Sequence, residues 1–275
     1  MTDRILVIGS RGKTGSRVAA LLAEQGIEVA LATRDPRRPL DRRFDWSDAN
    51  SLAAFAGCDA AYLVAPTDRT DHLAVMRPLL EGAIANGTRR FVLLSSSLLE
   101  PGMPMMAEVH GWLRERAPEW AVLRPSWFMQ NFAEGPHARS LRDDGVLYSA
   151  TGAGRVGFID AGDIAASAVA ALTAPAALNG DRVLTGPEAL SYDDVAAIVS
   201  ERLKRPIVHI SLDPEDLARR HMGQGLPKDY AETLAAMDSA IRVGAEARVT
   251  TGVEALTGRR PVAFRDFAAA NWGER

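Results

Sequence analysis

Five short apolar runs in the first 125 residues, at 4–8, 28–33, 60–65, 90–97 and 119–125, are each separated from the next by a segment with helical spacing. No other feature limits the fold as much. Runs this short and this rich in Val, Ile and Leu read as strands buried on both faces. Strands joined through helices must lie parallel, with right-handed crossovers. The first expected helix carries Val18, Leu21, Leu22 and Gln25 at helical spacing and has Gly26 placed to cap it; the others occupy 51–57, 71–87 and 108–117. Pro78 is expected to kink the 71–87 helix or to mark its true start. The fold class is therefore α/β, a doubly wound parallel sheet of Rossmann type.

Past residue 126 the rhythm breaks. A loop rich in Trp, Phe, Met, Asn and Gly is expected to about 158, then a helix at 163–174 and a strand at 181–186. Ser191 opens a helix over 191–205, with Asp194 three residues on as a capping box. A strand at 207–212 and a helix from Asp213-Pro214 follow, with Pro at the first helical position. The organisation expected is a core over 1–125 and a small α/β lobe over 126–275 that partly completes that core on the substrate side.

Composition removes several classes of function. A net charge of −3 leaves no electrostatic footprint for nucleic acid or an anionic membrane. Cys58 is the only cysteine, so no intrachain disulfide can form, and the five histidines lack ligand spacing, so no metal is expected. No uninterrupted run approaches the roughly 20 apolar residues that span a bilayer. The start MTDR leads into only a five-residue apolar run ending at Gly9, too short for a signal peptide. These features predict a cytoplasmic protein, monomer or homodimer, whose partner is a small molecule.

The loop after the first strand, GSRGKTGS, identifies the kind of small molecule. Its Gly12-Lys13-Thr14 suggests a triphosphate loop, but that motif needs a glycine at position 7, where the chain has Val7 inside the strand. Gly9, Gly12 and Gly15 instead make G-x-x-G-x-x-G between strand and helix, the spacing of a dinucleotide loop. A pyrophosphate is expected over the N–H groups of Lys13, Thr14, Gly15 and Ser16, where the helix dipole favours negative charge. An acidic residue usually ends the second strand of an NAD enzyme to bond the ribose; here the strand runs into ATRDP, and its first residue beyond is Arg34. With Arg11 in the loop, two guanidinium groups suit a 2′-phosphate and predict NADP(H). Asp35 is the contrary signal, since it can bond the ribose diol, and Arg34, Arg37 and Arg38 also read as a solvated basic turn.

With this loop, Arg34, FDWSD at 44–48 and LRPSWFMQNF at 123–132, the chain resembles the NmrA-like group of atypical short-chain dehydrogenases/reductases. Within that group it is similar to the agroclavine and festuclavine dehydrogenases and to type 2 quinone oxidoreductases. The resemblance implies that Asp45 and Trp46 border the adenine, that Ala65, Pro66 and Ser95 flank the cofactor with Ser96 and Ser97, and that Trp127, Phe128, Met129 and Asn131 lie by the nicotinamide and substrate, with Ser97 also binding the substrate. The two aromatics and Met of SWFMQNF, with Gln130 and Asn131 as polar anchors, suit a roomy apolar pocket and imply an aromatic or polycyclic substrate.

The chain departs from the wider superfamily in one respect. The Tyr-x-x-x-Lys pair expected on the helix after the fourth strand is missing, because residues 98–116 hold neither Tyr nor Lys. Candidate replacement proton donors are Tyr148 and His137, with Ser96 beside the cofactor; His110, His221 and Tyr230 rank behind them. Two function classes fit a missing pair: a reductase whose quinone, ketone or imine acceptor is already electrophilic, and a non-catalytic NADP sensor that reports redox state to a partner.

Overall fold

The computed structural model describes residues 4–38 and 40–272; the segment MTD, and with it part of the amino-terminal reading, lies outside the described residues. Two compact units divide the chain. The first comprises Met1–Pro125, Ala161–Val183 and Gly252–Gly258, and the second Ser126–Asp160, Leu184–Thr251 and Arg259–Arg275.

In the first unit, β1 (Arg4–Ile8), α1 (Gly15–Glu24), β2 (Glu28–Thr33), β3 (Asp41–Arg43), a 3-10 helix (Ala49–Phe55), β4 (Ala60–Val64), α2 (His72–Ala85), β5 (Arg90–Leu94), α3 (Met106–Arg116) and β6 (Glu119–Pro125) alternate as the apolar runs require. Five parallel pairings join β3 through β2, β1, β4 and β5 to β6. The chain reverses direction of growth at β1, which lies between β2 and β4 in the order β3-β2-β1-β4-β5-β6-β9. Such a switch point opens a crevice at the carboxyl ends of the strands. Leu6, Ile8, Ala61, Leu63, Phe91 and Leu93 of β1, β4 and β5 are buried in one cluster with Met76 and Leu80 of α2 and Val109 and Leu113 of α3.

After β6 come α4 (Gln130–Ala133), α5 (Pro136–Asp143), β7 (Val146–Ser149) and β8 (Arg155–Val156), so the loop expected over 126–158 is half regular. These pieces are too short to show a period. α6 (Ala161–Thr173) and β9 (Gly180–Leu184) return to the first unit, with β9 extending the sheet beyond β6. The second unit continues through β10 (Leu190–Ser191), α7 (Tyr192–Leu203), β11 (Val208–Ser211), α8 (Pro214–Gly223) and α9 (Lys228–Arg242); α10 (Gly252–Thr257) belongs to the first unit and α11 (Phe264–Trp272) to the second. β11 pairs parallel with β7, and β10 antiparallel with β8.

Local signals hold where backbone chemistry is decisive. Ser191 accepts from the Asp194 N–H and Asp194 reaches back to the Ser191 N–H, a complete capping box. Pro214 opens α8, although the Asp213 side chain makes no capping bond. Pro78 lies inside α2 and neither begins nor ends it. Ala74 and Pro78 are both exposed, so water can take the carbonyl that loses its donor. The polar strand β3, with sequence DRR, has no apolar signal and is the one sheet strand that the apolar runs do not reveal before β9. Among the described residues no helix is long and apolar enough to cross a membrane.

Candidate cofactor and substrate sites

The glycine turn is built by backbone geometry. Gly9 has φ +70°, a conformation that side chains disfavour, and a Cβ at Gly15 would lie 2.2 Å from the Gly9 carbonyl oxygen. The same oxygen accepts the Gly12 N–H at 2.8 Å. These contacts bring the start of α1 against the end of β1. Thr14 stands at the N-cap, but its side chain makes no capping bond, and the first turn of α1 holds no acidic residue. The positive end of the helix dipole is thus met by neither a side-chain cap nor a carboxylate in that turn, and a pyrophosphate fits there.

Gly9, Arg34, Ala65 and Ser95 each follow the carboxyl end of a parallel strand, so the first unit brings four expected cofactor positions to one edge of its sheet. Pro66 follows Ala65 and is half-buried. Ser95 Oγ is buried with no hydrogen-bond partner among the described residues, a polar atom suited to a ligand. Ser96 is half-buried, its Oγ 3.4 Å from the Leu98 N–H. Ser97 is buried, and its carbonyl accepts from Arg124, which also meets Glu100 at 2.5 Å and Asp181 at 3.0 Å. Arg124 thereby holds the loop after β5 against β6 and β9.

Trp46 is buried edge-on to Phe44, and its indole N–H donates to the Val64 carbonyl at the end of β4. Asp45 accepts the Ser47 N–H at 2.8 Å. The two expected arginines differ in surroundings. Arg34 is largely exposed, with Asp68 at 4.0 Å, whereas Arg11 donates to Asp41 at 2.7 Å and stands 3.9 Å from Asp35. Asp35 is held by Arg37 at 2.6 Å. Asp41 has no apolar or motif signal in the sequence. The N–H of Arg37 first, then those of Arg38 and Arg11, hold its carboxyl below the usual carboxylate range.

In the second unit Trp127, Phe128 and Asn131 are half-buried, and Met129 is fully buried in the core with Phe132. Phe132 is the centre of an aromatic cluster, with Phe158, Phe264 and Tyr192 edge-on at 5.1, 5.4 and 5.7 Å and His137 stacked at 5.1 Å. His137 sits on α5 and Tyr148 on β7, not on an open loop. Both line a cavity of about 10 Å³ with Ser140, Arg220, His221 and Gln224, room for one water. Arg220 lies face-on over the Tyr148 ring at 3.7 Å. Burial depresses the His221 imidazole below its ordinary range, which favours its neutral form.

Other proton donors are less available. Tyr62 and Tyr192 are fully buried, and burial pushes both phenols up. His110 is buried against Trp120 and its imidazole is depressed by that burial. Ser149, His209 and Asp193 form a Ser-His-Asp chain that sequence spacing does not reveal, with bonds of 2.8 and 3.1 Å. Ser149 is 1% exposed and also bonds Thr151 Oγ1 at 2.7 Å, so no substrate reaches it; the chain ties β7 to β11 and α7. Among the described residues no group of three His, Cys, Asp or Glu side chains could hold a metal ion.

Comparison with known proteins places these features in a family. The NmrA-like family model matches residues 1–263. A Bacillus subtilis protein named uncharacterized oxidoreductase YesF is 40% identical, over 97% of this chain and 94% of its own. Agroclavine dehydrogenase of Claviceps fusiformis is 38% identical, over 97% and 96%. The Escherichia coli NADPH-dependent quinone oxidoreductase QOR2, solved with NADPH, is 20% identical but superposes with a TM-score of 0.82 over 97% and 99%, a likeness of fold.

Proposed function

The chain belongs to the NmrA-like family, and from that premise we propose that it is an NADPH-dependent reductase of a hydrophobic quinone, ketone or iminium acceptor. It is an NAD(P)-dependent oxidoreductase, and its relatives include an agroclavine dehydrogenase. The observation that carries the proposal is the glycine turn at the β1 switch point, where Gly9 takes a positive φ, Gly15 leaves no room for a side chain and α1 presents an uncapped N-terminus. When bound there, the reduced nicotinamide supplies the hydride.

The chain's own residues bind, orient and shield. Lys13, Thr14 and Gly15 hold the pyrophosphate, Arg11 and Arg34 the 2′-phosphate, Asp45 and Trp46 the adenine side, and Ala65, Pro66 and Ser95 the remainder of the cofactor. Ser97, Trp127, Phe128 and Asn131 are the residues proposed to bind the acceptor. Residues 98–116 supply no Tyr or Lys, so the acceptor is one that takes hydride without prior protonation, and orientation does most of the catalytic work. Of Tyr148, His137 and Ser96, the first two line the cavity of one water; the His137 ring is stacked on Phe132, and Tyr148 is the donor to test first.

Loss of reduced-nicotinamide absorbance is followed with NADPH and a panel of quinones, cyclic iminium ions and polycyclic ketones, with cofactor binding measured on the same sample. Turnover with any member establishes the reductase and names the acceptor class. Tight NADPH binding without turnover across the panel overturns it in favour of a dinucleotide sensor.

A further inference from the structure

Arg11 does not lie loose at the cofactor loop. One oxygen, Asp41 Oδ2, accepts three donors: the Arg37 N–H at 2.7 Å, the Arg38 N–H at 3.0 Å and Arg11 Nη2 at 2.7 Å. The Asp41 side chain is 2% exposed, while Arg11 is 38% exposed. The Asp41 N–H in turn donates to the Arg38 carbonyl, and the residue is locked into the sheet by its pairing with Leu31 of β2. A single carboxylate on an edge strand therefore fixes both the turn that begins at Arg34 and the guanidinium that rises from the glycine loop.

We propose that Asp41 is a positioning residue for cofactor selectivity: it holds Arg11 ready for the 2′-phosphate and so sets the preference for NADPH over NADH. The inference rests on the reading of Arg11 as a phosphate ligand. A guanidinium has five donors in a planar fork, and the bond to Asp41 uses one, leaving others for phosphate. An arginine with no such anchor gives up rotamer freedom when the nucleotide arrives; here that ordering is already done, which strengthens binding. The carboxylate also repels the phosphate. Two backbone N–H dipoles aimed at Oδ2 offset that charge, so pre-organisation is the larger effect.

Equilibrium binding of NADPH and NADH to the full chain, read by nucleotide fluorescence, tests this with the variants Asp41→Asn, Arg11→Ala and the double variant, each with its melting temperature recorded. Asparagine keeps an oxygen for the Arg37 and Arg38 N–H groups and removes the charge that holds Arg11. Asp41→Asn is expected to raise the NADPH-to-NADH ratio of Kd about three- to tenfold, and Arg11→Ala about ten- to a hundredfold. In the Arg11→Ala background Asp41→Asn should change the ratio less than about twofold, since its effect runs through Arg11. Tighter NADPH binding by Asp41→Asn, or equal loss for both nucleotides, overturns the positioning role while leaving a selective Arg11→Ala intact. Equal losses in Arg11→Ala itself overturn the phosphate reading, and the role of Asp41 falls with it.

Discussion

The Gly9–Gly15 turn and the Ser126–Asp160 segment are held by different forces. The turn is fixed by backbone sterics within seven residues: a positive φ at Gly9 and a 2.2 Å approach at Gly15 that only glycine permits. The segment is fixed by side chains from far along the chain, with Phe132 meeting Tyr192 and Phe264. A constraint of the first kind is written in the residues themselves. The second kind distributes its energy over many contacts, none of which has a sequence signature.

Variants that separate stability from cofactor affinity can break that comparison. Phe132→Ala empties the centre of the aromatic cluster, and the loss expected for a buried Phe is about 3–5 kcal/mol in urea unfolding. The folded fraction should still bind NADPH with unchanged Kd. A loss below about 1 kcal/mol would mean that the cluster does not hold the segment. Gly15→Ala should cost less stability, about 1–3 kcal/mol for a backbone overlap, yet weaken NADPH at least about tenfold, because the start of α1 must move away from β1. Retained affinity in Gly15→Ala would show that the turn tolerates a side chain.

The second unit also carries a pH signature that the turn lacks. Asp238 on α9 is buried, accepts the Ala150 N–H at 2.8 Å and faces Arg242 and Tyr192. Burial pushes its carboxyl up to about 6 from an ordinary 3.8. The folded state therefore holds a proton that the unfolded state releases first. This contribution is fully present below pH 3.8 and is lost as the pH rises through about 6, a total loss of about 2–3 kcal/mol. Asp238→Asn keeps the acceptor without the charge. Its melting temperature should exceed that of the parent at pH 8 by the equivalent of about 1–2 kcal/mol, since the new amide must itself be buried, and should fall below it near pH 4, where the parent's carboxyl is neutral in the folded state and only the cost of the amide remains. A gap that does not depend on pH would place the ionised group elsewhere.

The same division explains what the residues revealed. The strands of the first unit other than β3, the capping box at Ser191 and the glycine turn were legible because each is a local rule of pattern or backbone. The short pieces α4, α5, β7 and β8 were not, because four to eight residues, or two to four in a strand, carry no period. Asp41 was invisible for another reason. Its neighbours Leu40 and Arg42 form no pattern with it, and only the pairing of β3 with β2 brings it to Arg11, 30 residues away. Met129 shows the converse. The WFMQNF pattern is compatible with a pocket or a core, and the fold puts Met129 in the core with Phe132 while leaving Trp127, Phe128 and Asn131 partly accessible.

Tyr148 tests whether the second unit supplies chemistry or only shape. Its ring is covered by Arg220 at 3.7 Å, and that cation–π contact uses the ring face, which phenylalanine retains. Tyr148→Phe should therefore change stability by less than about 0.5 kcal/mol. With an acceptor that takes hydride unaided, kcat should stay within about twofold, because removing a hydroxyl that transfers no proton leaves the barrier unchanged. A fall of about a hundredfold, with KM unaltered and the alkaline limb of the pH profile displaced, would make the phenol the missing acid. The water-sized cavity it shares with His137 and His221 would then be the route by which its proton is replaced. A segment fixed by packing would in that case also carry the proton, and the contrast with the glycine turn would be one of origin alone.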